Sequence, residues 1–237
     1  MDLDLEEQEQ LAKFKAFWQD YGKWISIGVA IAVLGFLVYW GFEQYKLKQS
    51  LNASQQYEML LEQFSKNDLP AVLSSSKNLQ KEYSGTAYAG MAGLLAANLA
   101  YSVSDKDAAI EQLQWVVNSA SSDSFKSIAK LRLVSIWIDI KTSESLAQAD
   151  KLLSTSFAKG FEALQLESRG DWYWAQDKVA EAKKSYLAAW NSSTEERLKA
   201  SSAKEIDPAI KKLQQQNPTP DQRLLKVKID SLGGFND

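Results

Sequence analysis

The stretch from Trp24 to Phe42, WISIGVAIAVLGFLVYWGF, is 19 residues without a charged side chain, bounded by Lys23 and Glu43. At a rise of ~1.5 Å per residue a helix of this length spans ~28 Å, close to the ~30 Å hydrocarbon core of a bilayer. A core helix of a soluble domain keeps a polar face toward water, yet Ser26 is the one clearly polar side chain here. Phe17, Trp18, Tyr21 and Trp24 flank one end; Tyr39, Trp40, Phe42 and Tyr45 flank the other. Amphipathic rings favour the headgroup level, so two aromatic belts fit a span. A cleaved signal would have a core of roughly 7–15 residues and a small-x-small cleavage site. This core is followed instead by EQYKLKQS and preceded by the acidic MDLDLEEQEQ. An uncleaved transmembrane helix over 24–42 is expected in the lipid bilayer, after an N-terminal flank, 1–23. Lys13, Lys15 and Lys23 precede it and Lys46 and Lys48 follow it, a narrow margin toward a cytoplasmic N-terminus.

The remainder must be read without histidine or cysteine, since the chain contains neither. Ser-His-Asp and Cys-His nucleophiles and His/Cys zinc sites cannot be assembled. The 30 acidic residues show no catalytic spacing. Neither G-x-x-x-x-G-K-[ST] nor G-x-G-x-x-G occurs, so no phosphate cradle is announced. No catalytic residue, metal site or cofactor is expected, and the chain does not read as an enzyme. Residues 1–23 hold six acids and three lysines, which leaves 24 acids and 24 bases in the rest. A nucleic-acid-binding domain would show a basic excess, so nucleic acid is not an expected partner.

Beyond the span, apolar residues recur at steps of three and four, and short polar breaks such as SKNDLP, SVSDKD and KTSES separate the runs. Breaks of this length join antiparallel helical hairpins, roughly four of them from Ser50 to Trp190. The clearest is LESRGDWYWAQDKVAEAKKSYLAAW, residues 166–190. It places Gly170 and Tyr173 on a first helix and Ala182, Tyr186 and Ala189 on a second, with Gly170 expected to admit the second helix at Ala182. This arrangement resembles the tetratricopeptide repeat. Asp177 stands where that repeat favours glycine, and Thr194 where it favours proline. Weaker copies put Ala97 before Ala109 and Leu113, then Ala149 and Leu153, with a degenerate first copy around Ala71. The alanines at 109, 149 and 182 are 40 and 33 residues apart, near the repeat's period. The expected fold is all-α: the transmembrane helix, then a tetratricopeptide-like helical-hairpin solenoid over 43–190. A polar extension or linker over 191–220 and a capping helix with tail over 221–237 complete it. Leu224, Leu225, Val227, Ile229 and Leu232 space that last helix for docking onto the final hairpin, and Gly233-Gly234 reads as a flexible end.

The order of these parts resembles the YfgM family, ancillary subunits of the Sec translocon in Gram-negative bacteria. The segments that carry the likeness are FKAFWQDYGKWISIGVAIAVLG, LRLVSIWIDIK, LESRGDWYWAQDKVAEAKKSY and LLKVKID. The resemblance implies an inner-membrane protein with a cytoplasmic N-terminus and a periplasmic helical domain. It also implies two partners, the SecYEG channel and a membrane-anchored periplasmic chaperone of the PpiD type. A hairpin solenoid binds protein on the concave face made by its first helices; Glu167, Asp171 and Trp174 are expected there. On the span, Gly28, Ala32 and Gly35 share one face, and small residues let membrane helices approach closely. The alternative is a membrane scaffold whose domain faces the cytoplasm and recruits soluble partners.

Overall fold

A computed structural model describes residues 5–202 and 219–235. The described residues form only helices and turns: α1 (Leu5–Ser65), α2 (Leu69–Glu82), α3 (Ala87–Ser102), α4 (Lys106–Ser119), α5 (Asp123–Ile140), α6 (Ser143–Leu153), α7 (Glu162–Trp174), α8 (Val179–Ser202) and α9 (Pro220–Asp230). The chain falls into two compact units, Met1–Asn52 and Ala53–Asp237. Among the described residues one helix, α1, is long and apolar enough to cross a membrane. Every residue from 24 to 42 is exposed.

In the second unit the end of α1 pairs with α2, α3 with α4, α5 with α6 and α7 with α8. The end of α1, α2 and one side of α3 share a core of Ala53, Leu60, Val72, Leu79, Ala92, Ala96 and Leu99. A second core joins α3 through α6 around Leu113, Val116, Leu133 and Leu153. A third joins Ala182, Tyr186 and Ala189 of α8 to Leu225 and Ile229 of α9. Each fully buried leucine or isoleucine contributes about 1.5–3 kcal/mol.

The repeat is written in its turns. Asn67, Ser104, Lys141 and Asp177 are the described non-glycine residues with positive φ, between 54° and 66°. Each closes the first helix of a hairpin, and the steps between them are 37, 37 and 36 residues. Three of these turns are built alike. The N–H groups of Asp68, Asp105 and Lys178 donate to the carbonyls of Gln63, Ala100 and Tyr173, five residues back, at 3.2, 2.9 and 3.1 Å. This is the six-to-one bond of a Schellman end. The third turn differs: Lys141 N–H reaches Trp137 O at 3.2 Å, and Thr142 and Ser145 form a reciprocal cap on α6. Its buried alanine, Ala149, therefore comes later after the turn than Ala109 or Ala182, which is why the alanine spacing was uneven.

Several expectations shift. In the first hairpin the buried positions of α2 are Val72, Ser76, Leu79 and Gln80, while Ala71 is only half-buried. In the second, close approach of α4 falls at Gly93, where an added Cβ would stand 2.6 Å from Val116 Cγ2, rather than at Ala97. In the last, the atoms nearest an added Cβ on Gly170 belong to the Tyr186 ring, which would overlap it, rather than to Ala182. Past Trp190, α8 continues to Ser202. Thr194, in the place of the expected proline, accepts a bond from Gln222 Nε2 of α9 at 3.2 Å. The rest of the expected extension, 203–218, lies outside the described residues. Gly233 and Gly234 are not a loose end. Their φ values of 98° and 80° turn the chain back, Gly234 N–H donates to Ile229 O at 3.0 Å, and Phe235 packs edge-on against Trp190 at 5.1 Å.

Candidate protein-binding face

The last hairpin carries a polar cluster shared with α9. Tyr186 lies over Gly170 and donates its hydroxyl to Asp171 Oδ1 at 2.7 Å. Lys228, from α9, donates to both oxygens of Asp171 at 2.7 and 2.9 Å and to Glu167 at 2.8 Å. Burial works against the Lys228 charge, but Asp171 and Glu167 outweigh it and hold the ammonium above its ordinary range. Burial first, and then the Asp171 charge, pushes the Tyr186 phenol far above its ordinary range. Glu167 and Asp171 thus clasp the C-terminal helix.

Trp174 sits apart from that clasp and is exposed. With Asp171 and Ser168 of α7 it faces Ser135, Ile138 and Asp139 of α5 across an open cleft of about 270 Å³. A second cleft, about 170 Å³, lies between α3 and α5, where Asn98 and Tyr101 face Arg132, Ser135 and Ile136. Ser135 lines both, so the clefts adjoin along the first helices of three successive hairpins. Their polar edges are tethered. Arg132 donates to Leu94 O at 3.1 Å, and burial lowers its pKa. Asp139 accepts from Lys106 at 2.9 Å and from Tyr101 at 3.2 Å; the Lys106 bond, first among its influences, holds its carboxyl below the ordinary range.

Glu167 lines a third cleft, about 370 Å³, between α7, α8 and α9. There the buried Gln222 donates to Ser193 at 3.1 Å and to Thr194 at 3.2 Å, and accepts from Arg197 at 3.1 Å. The three residues expected on one face are therefore split: Trp174 opens on the α5–α7 cleft, Glu167 on the α7–α9 cleft, and Asp171 lines the first while bonding to Lys228. Tyr101, Arg132, Ser135 and Asp139 were missed, because their hairpins carry weak repeat patterns. The turn residues at steps of 37, 37 and 36 would have located those first helices. On the span, Gly28, Ala32 and Gly35 are exposed, and an added Cβ at either glycine meets nothing within 4 Å. Exposed rings beside guanidinium, hydroxyl and carboxylate groups in open clefts suit an extended polypeptide, whose apolar side chains and backbone amides both need partners.

A family model described as a tetratricopeptide repeat-like domain matches residues 15–206. Three relatives are each named an ancillary SecYEG translocon subunit. The protein from Neisseria gonorrhoeae is 30% identical over 188 residues, 78% of this chain and 88% of its own. That from Haemophilus influenzae is 29% identical, covering 82% and 94%, and that from Escherichia coli 24%, covering 72% and 81%. No solved structure matches the chain. With its family model spanning most of the sequence and its relatives aligned over most of theirs, the chain belongs to the YfgM-like family of tetratricopeptide repeat-like proteins represented by those translocon subunits.

Proposed function

We propose that this protein is a membrane-anchored, non-catalytic binding module that associates with the SecYEG translocon and links it to a membrane-anchored periplasmic chaperone of the PpiD type. In this reading the span 24–42 crosses the inner membrane, the N-terminus is cytoplasmic and the hairpin solenoid is periplasmic. Gly28, Ala32 and Gly35 supply the face for helix approach within the bilayer. Trp174 and Tyr101, with Asp171 at the margin, contact protein along the first helices; Glu167 acts with Lys228 at the domain's end. The observation that carries the reading is the pair of adjoining open clefts along α3, α5 and α7, lined by exposed aromatic side chains, on a chain of this family.

The test is a detergent pull-down of the full-length protein from native membranes, read by mass spectrometry. Wild type should retrieve SecYEG and a membrane-anchored chaperone. Gly28→Leu with Gly35→Leu should reduce the channel component, and Tyr101→Ala with Trp174→Ala the soluble-side partner. Wild type that retrieves neither would reduce the reading to an anchored binding module of unassigned partner. Sidedness is tested separately, since a cysteine-free chain accepts single thiols cleanly. Ser84→Cys should react with an impermeant reagent from the periplasmic side and Gln10→Cys should not; the reverse would favour the cytoplasm-facing scaffold.

A further inference from the structure

The segment before the span has a sidedness that belts around an upright helix do not require. At ~100° per residue, Leu11, Phe14, Phe17, Trp18, Tyr21 and Trp24 fall within one arc of α1. Lys13, Lys15, Gln19, Asp20 and Lys23 fall on the rest of the circle. Phe14 stacks on Trp18 at 6.3 Å and Phe17 meets Tyr21, tilted, at 5.2 Å, two ring pairs along the same arc. All six apolar side chains are between 49% and 71% exposed.

Depth decides what can cover them. The headgroup zone adds roughly 5–8 Å on each side of the hydrocarbon core. Phe14 precedes Trp24 by ten residues, ~15 Å of helix, and Leu11 by thirteen, ~20 Å. At the average tilt of about 20° a transmembrane helix would leave Phe14 roughly 14 Å beyond Trp24, in water. A segment lying in the membrane plane puts Leu11, Phe14 and Trp18 at the headgroup boundary together without burying Asp20 and Lys23 in the hydrocarbon.

We propose that residues 11–23 form an interfacial helix that lies on the bilayer, its aromatic face sunk among the lipid headgroups and its lysine-bearing face in water. The occupant is the lipid surface because the face runs directly into the span. Tryptophan, phenylalanine and leucine opposite lysine is also the composition that binds such a surface. Within residues 11–23 three lysines stand against Asp20, while Asp2, Asp4, Glu6, Glu7 and Glu9 precede them and make the flank as a whole acidic, so burial of the rings rather than lipid charge carries the binding. The helix is unbroken here in the structure; a bend on the membrane is what the proposal adds. Gly22 is placed for it, since glycine is the poorest helix former in this stretch; the Trp18 ring lies 3.2 Å from where its Cβ would stand. The proposal rests on the span alone and holds for either orientation and any protein partner.

The test is site-directed spin labelling of the full-length protein in vesicles of phosphatidylethanolamine with a minority of phosphatidylglycerol. Single variants Phe14→Cys, Trp18→Cys, Tyr21→Cys, Ala16→Cys and Gln19→Cys sample both faces, and Ile31→Cys reports the span. Broadening by oxygen relative to a water-soluble nickel chelate should be several-fold greater at 14, 18 and 21 than at 16 and 19. Water-like values at all five flank sites with a lipid-like Ile31→Cys would overturn the proposal and leave the anchor standing. Protection of 14, 18 and 21 from both reagents would mean a dry protein contact, a second copy or a partner, and would overturn it equally. A water-like Ile31→Cys would refute the span itself.

Discussion

The first and last hairpins fill the same buried position in opposite ways. In α8 the middle position of the buried trio is Tyr186, seated on Gly170 and bonded to Asp171. In α2 it is Ser76, whose hydroxyl donates to Gln112 Oε1 of α4 at 2.8 Å, while Gln80 Nε2 donates to the same oxygen at 2.7 Å. One hairpin fills the gap with a ring and a paired glycine; the other fills it with a polar triad borrowed from its neighbour. The flanking turns, at Asn67 and Asp177, are nevertheless built alike. Turn geometry sets the repeat, and the filling of the gap is free to vary provided volume and hydrogen bonds are satisfied.

Breaking the tyrosine should have the largest effect. Tyr186→Ala in the full-length protein should cost about 3–5 kcal/mol in denaturant unfolding. Gly170→Ala should cost about 1–3 kcal/mol by overpacking, and much less in a Tyr186→Leu background, because the two sites touch. Independent effects would deny that the ring seats on the glycine. For the polar triad, Gln112→Leu should cost about 1–3 kcal/mol by removing the acceptor that Ser76 and Gln80 share, whereas replacing all three with apolar residues should be nearly neutral. A larger loss in the triple variant would mean that the triad stabilises beyond its own satisfaction.

The C-terminal clasp comes next. Lys228→Met should cost about 1 kcal/mol, a charge-assisted bond discounted for partial exposure. Its pH signature is more telling. Lys228 and Tyr186 both have raised pKa values, so the charged ammonium and the neutral phenol belong to the folded state. Their stabilisation is complete below the ordinary values, ~10 for tyrosine and ~10.4 for lysine, and is lost as pH rises beyond them. Unfolding midpoints of wild type should therefore fall above about pH 10, and the Lys228→Met, Tyr186→Phe double variant should flatten that fall. Smallest is Lys77→Ala, which removes an exposed 2.9 Å ion pair with Glu111 on the surface over the polar triad. It should change stability by less than about 0.5 kcal/mol.

The sequence made the anchor and the last hairpin legible because each is a local pattern: an uncharged run of bilayer length, and five small or aromatic residues in fixed register. The earlier hairpins were blurred because Ser76 and Leu113 stand where an aromatic was sought. The third turn also delays Ala149, which disguised the period that Asn67, Ser104, Lys141 and Asp177 keep. The clasp could not be read at all, since Lys228 lies 57 and 61 residues from its two carboxylates. Without it, Glu167 and Asp171 look like free acids on a helix face. The α3–α5 cleft was missed for the same reason: Tyr101 and Asp139 meet across 38 residues.

The central claim is that protein is bound along α3, α5 and α7, and site-specific photo-crosslinking in native membranes tests it most directly. A photoreactive residue at Tyr101 or Trp174 should capture discrete protein partners, including a translocon-associated component. The same residue at exposed Gln114 or Lys151, on the second helices, should capture little. Equal capture from both faces, or none at 101 and 174, would contradict the account.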